Sequence, residues 1–93
     1  MPRLKAAHIN EQGENMIIFP LNSLFANQTD EGRADILEEL ERRAHAAGLA
    51  GRAVAIWERG NQTHYLGPRS WQAFLESLSM RWVLANVNKE LSW

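Results

Sequence analysis

Apolar and polar positions in the first part of the chain fall into two segments, residues 3–10 and 15–21, parted by the polar run Glu11-Gln12-Gly13-Glu14. That run predicts a hairpin turn in which Gly13 takes a positive φ. In the second segment Met16-Ile17-Ile18-Phe19 is continuously apolar, the pattern of a strand covered on both faces. Pro20 cannot donate to a ladder, so it puts that end of the strand at a sheet edge or a strand terminus. Residues 22–28 read as a loop from which Leu24 and Phe25 can fold back over the core.

The period then changes. Ile36, Leu37, Leu40, Ala44 and Ala47 recur at helical spacing, which marks one buried stripe. Thr29 or Asp30 can cap the start, and Asp30, Glu31 and Asp35 put negative charge near the positive end of the helix dipole. Arg42, Arg43 and His45 suit the other end, and Gly48 before Leu49 signals a glycine cap. Gly32 weakens the first turn. The stripe is expected to set Ile36, Leu37 and Leu40 against Ile18, Val54 and Ile56.

Residues 52–58 predict the next strand, with Val54 and Ile56 on one face and Ala53, Ala55 and Trp57 on the other. A turn at Arg59-Gly60-Asn61 leads to a shorter strand from Gln62 to Leu66, a second hairpin. Gly67-Pro68 stops it. Ser70 can cap a last helical region with Trp71, Phe74, Leu75, Leu78 and Trp82 on one stripe. Beyond it a second stripe of Val83, Val87 and Leu91 begins, and Ser79 could cap a new helix, so a split in the last helix is placed there.

The predicted architecture is therefore a single α+β domain over residues 1–93. It is a two-layer ββαββα arrangement, a four-stranded and largely antiparallel sheet with the helices on one face. The length of 93 residues fits one core rather than two. No cysteine is present, which excludes a disulfide framework, a thiol nucleophile and a thiolate metal site. The longest apolar run, Met16 to Leu21, is far too short to span a membrane, and no hydrophobic signal region follows the first residues. A cytoplasmic location is the expectation by elimination, and the sequons at Asn27 and Asn61 read as turn and cap chemistry. The net charge of −1 hides an uneven distribution. Residues 1–41 carry three basic and eight acidic side chains, residues 42–93 seven basic and three acidic ones. Such a split can orient a partner or a second copy.

Three functional readings follow from the candidate residues. His8 and His64 both lie on predicted strands; if they met across the sheet, Glu58 could complete an acid–base or metal site. The histidines lack the spacing of a helical ligand pair, the serines fall at caps and loops, and Glu38, Glu39 and Glu41 belong to a solvated helix face. No phosphate loop or nucleophile elbow is present, so the sequence points away from an enzyme and implies no cofactor. The second hairpin carries Arg52, Trp57, Arg59, Tyr65 and Arg69, cations with aromatic faces of the kind nucleic-acid binding needs. The slightly acidic chain and the dispersed arginines oppose that reading. The last 23 residues hold Trp71, Phe74, Trp82 and Trp93. Tryptophan beside Arg81 has the composition of protein-interface hot spots. The expected function is thus a non-enzymatic protein-interaction module. Its candidate interface is Arg81, Trp82, Val83, Asn86, Val87, Leu91 and Trp93, most economically between two copies related by a two-fold axis. The competing reading is that these residues close the core.

Overall fold

The computed structural model describes residues 3–11, 13–21, 25, 27–60 and 62–92; Leu24, Asn61 and Trp93 lie outside the described residues. Strands β1 (Arg3–Glu11) and β2 (Glu14–Leu21) form the first hairpin, and helix α1 spans Asp30–Ala46. Strands β3 (Arg52–Arg59) and β4 (Gln62–Leu66) form the second. A 3-10 turn (Arg69–Trp71), α2 (Gln72–Glu76), α3 (Met80–Ala85) and β5 (Lys89–Ser92) complete the chain.

Both hairpins are antiparallel, as the turn signals require, and Gly13 has a φ of 81°. Helix α1 begins where Thr29 Oγ1 accepts the Gly32 amide at 3.0 Å. It ends in a Schellman pair, with the Leu49 amide on the Ala44 carbonyl and the Gly48 amide on the His45 carbonyl, at 2.9 and 3.0 Å. The next connection leaves no room for a side chain. Gly51 has a φ of 121°, and a Cβ there would lie 2.4 Å from the Asn15 carbonyl oxygen.

The sheet departs from the expectation in strand number, pairing and covering. It has five strands in the order β4-β3-β2-β1-β5, not four. It is mixed, because β2 and β3 run parallel, with Ile18 opposite Val54. The reason is that α1 lies between them in the chain and carries it back across the sheet, a crossover that brings the next strand in the same direction. Residues 89–92, expected in a helix, form β5 and pair antiparallel with β1.

The helices occupy both faces rather than one. On one face Ile17, Phe19, Ala53, Ala6 and Leu91 pack with Leu40 and Ala44 of α1. On the other, Ile18, Met16, Val54, Ile56 and Ala7 pack with Leu75 and Val83 of α2 and α3. Residues 16–19 and 53–57 are apolar on both sides of the strand and buried, so each face of the sheet needs a cover. The α1 stripe is therefore rotated from the expected one: Leu40 meets Ile17 and Phe19 rather than Ile18, and Ile36 is 36% exposed. Ser70 caps nothing; it lies inside the 3-10 turn, which has no side-chain cap. The break at Ser79 is present. Its side chain accepts the Trp82 amide at 3.1 Å and opens α3. Among the described residues, no helix is long and apolar enough to cross a membrane.

Candidate functional site

Ser79 caps the start of α3, and the six-residue helix turns Val83 fully inward. Residues 82 and 84 then fall on its two flanks, about 100° to either side of Val83. Trp82 is 38% and Leu84 55% exposed. The Trp82 ring stands edge-on to Phe74, with centroids 6.4 Å apart. Asn86 ends the helix, its side-chain amide donating to the Trp82 carbonyl at 2.8 Å.

Asn88 then fastens the chain to β1. Its Oδ1 accepts the His8 amide and its Nδ2 donates to the His8 carbonyl, each at 2.9 Å. The side chain thus occupies the place of a strand residue, and β5 follows directly from it. Leu84 and the half-buried Val87 line an open depression of about 630 Å³ with Lys5, Asn88, Lys89 and Glu90. Lys5 and Glu90 are direct cross-strand partners beneath it.

The expected interface set is therefore divided. Arg81, Trp82 and Asn86 are exposed and Val87 is half-buried. Val83 and Leu91 are core residues, 0% and 4% exposed, and they pack on opposite faces of the sheet. The bend at Ser79 and the switch from helix to strand remove the second apolar stripe from the surface. Leu84, which belongs to neither stripe, is the exposed apolar residue that periodicity missed.

His8 and His64 do not meet. They sit on β1 and β4, with β2 and β3 between them, a separation of roughly 14 Å at ordinary strand spacing. The His8 ring is 2.9 Å from the Ala50 carbonyl, and the His45 ring 2.7 Å from that of Gly51. Two histidines from different elements therefore hold the loop between α1 and β3. The His64 ring stacks on Trp57 at 5.8 Å. Among the described residues no set of three His, Asp or Glu side chains could hold a metal ion, and no polar or charged side chain is buried.

The two aromatic groups of the second hairpin lie on opposite faces of the sheet. Trp57 is 7% exposed, packed edge-on against Phe25 at 4.9 Å, with the Arg33 guanidinium 5.4 Å from the ring centre. Tyr65 packs on the opposite face, with Val54 and Ile56. Its hydroxyl donates to Glu76 at 3.2 Å. Its partial burial, and then the hydrogen bond and negative charge of Glu76, raise its pKa above the usual tyrosine value. Arg52 is paired with Glu41 at 3.2 Å, Arg69 is exposed, and the Arg59 side chain lies outside the described residues.

These features define an α+β domain with a mixed five-stranded sheet between two helical covers and one apolar corner left open at α3. Comparison with protein-family models, with curated proteins and with solved structures finds no match to this chain.

Proposed function

We propose that this protein is a non-enzymatic protein-interaction module that binds through the corner formed by α3 and β5. A single observation carries the reading: Leu84, the most exposed large apolar side chain among the described residues, stands on α3 beside the half-buried Val87 over the depression that borders β5. Contiguous exposed apolar surface rimmed by polar groups marks an interaction site. Lys5, Lys89 and Glu90 rim this apolar surface, and Trp82 stands on the other flank of the helix. Two copies meeting across a two-fold axis are the simplest assembly, because one self-complementary patch then serves both partners. The reading includes a cytoplasmic location, which a chain without cysteine permits.

Molar mass by light scattering tests this on the whole chain and on Leu84→Glu, with thermal unfolding as the control for folding. The expected result is a dimer that becomes a folded monomer in the variant. A wild-type monomer whose stability and mass the variant leaves unchanged would remove the second copy from the reading.

A further inference from the structure

We propose a second binding site, independent of the first: the open edge of β4 and the groove between it and α1 take an extended segment of another protein that alternates apolar and basic residues. Strand β4 ends the sheet order, so its outer backbone groups have no strand partner among the described residues. Natural edge strands are usually guarded against added strands by charge, proline or brevity. The β5 edge has four residues, including Lys89 and Glu90. Gln62-Thr63-His64-Tyr65-Leu66 has no Lys, Arg, Asp, Glu or Pro. Of the two edges, β4 is the one without a charged or proline guard.

At the end of this strand lies a groove of about 460 Å³, lined by Leu66 and Pro68, by Ala34, Leu37, Glu38 and Glu41 of α1, and by Arg52 of β3. Leu66 faces α1 because its register partner is Ala55, which packs with Trp57 and Leu37 on that face. A strand added to β4 sends alternate side chains to this same face, so its apolar residues would enter the groove while its backbone pairs with the edge. Glu41 is already engaged: its carboxylate accepts Arg52 Nε and the Ala53 amide at 3.2 and 2.9 Å. Glu38 is exposed and has no partner among the described residues, which leaves it to a cation on the incoming segment. Charge also decides against a second copy here. Helix α1 carries six acidic and three basic side chains, and pairing two β4 edges would set two such helices along one seam.

The test is fluorescence anisotropy with the whole chain and a labelled octapeptide of alternating valine and lysine. Two further peptides serve as controls, one alternating valine and glutamate, the other the valine–lysine peptide N-methylated at every second amide. The expected result is binding of the valine–lysine peptide, weakened about tenfold or more by N-methylation and by either Glu38→Lys or Ala34→Trp. The valine–glutamate peptide should not bind. Both substitutions fall on exposed helix positions, and a retained thermal transition confirms that each variant folds. Leu84→Glu should leave peptide binding unchanged, which separates this site from the α3 corner. Binding that ignores N-methylation, no binding at all, or a dimer abolished by Ala34→Trp would each overturn the proposal, the last by giving the groove to a second copy.

Discussion

On one face of the sheet a single helix of 17 residues, capped at both ends, lies over Ile17, Phe19 and Ala53. On the other, Ile18, Val54 and Ile56 are covered by a 3-10 turn and two helices of five and six residues. Isolated helices shorter than about 12–15 residues are marginal in water, so the pieces of the second cover owe their form to what they bury. A long helix can turn one stripe inward and solvate the rest. A six-residue helix that buries Val83 has little surface left, and both flanking positions, Trp82 and Leu84, remain partly exposed. The broken cover is thus the less self-sufficient one, and it is also where large apolar side chains stay exposed.

The strongest test of this contrast is to remove one anchor from each cover. Leu40 and Leu75 are 6% and 2% exposed, and burial rather than helix length sets the cost of truncation. Leu40→Ala and Leu75→Ala should each lower stability by about 2–5 kcal/mol. Urea unfolding of the two variants measures this. A loss below about 1 kcal/mol for Leu75→Ala would show that the second cover is not part of the cooperative core.

A smaller effect is expected where the broken cover is tied back to the sheet. Asn88→Ala removes both side-chain bonds to the His8 backbone, and the exposed groups left behind can turn to water. The expected loss is about 1 kcal/mol, with faster amide exchange in Glu90 and Leu91 than in β2. Unchanged exchange in β5 would mean that the strand ladder alone holds it.

The smallest effect sharpens the same contrast through pH. Tyr65 and Glu76 link β4 to α2, and the folded phenol has its pKa raised, first by burial and then by Glu76. A raised value means that the neutral form is favoured in the fold. This contribution to stability is complete below about pH 10, the unfolded value, and is lost as pH rises through the folded one. Phenolate absorbance should show a midpoint above 10, which Glu76→Gln lowers without fully restoring it, because burial remains. An identical midpoint in the variant would place Tyr65 away from Glu76 in solution.

The candidate site was only partly legible in the sequence. The tryptophans and Arg81 drew attention to the region of α3, but helical periodicity carried through residue 91 made Val83, Val87 and Leu91 one stripe. In the fold these residues belong to a helix, the irregular connection after it and a strand. Leu84 had no periodic signature at all; its exposure follows from its place on the flank of a short helix that turns Val83 inward. Nor could spacing show that His8 and His45 converge on one loop, since neither contact depends on sequence neighbours.

What the sequence determined by itself is local. The hairpin turns, the caps of α1, the strand limits around residues 52–58 and 62–66, and the two faces of β3 all follow from residues within a few positions of one another, through turn chemistry, capping and a period of two. The tertiary structure alone decided which face of the sheet each helix covers, that β2 and β3 run parallel, and that residues 89–92 become a strand. Those outcomes depend on partners distant in the chain: a central strand apolar on both sides, which needs two covers, and an open β1 edge with His8 backbone groups that Asn88 can satisfy. A short polar segment such as Asn88-Lys89-Glu90 has no strong local preference, so the vacant edge it meets, and not its own pattern, sets its conformation.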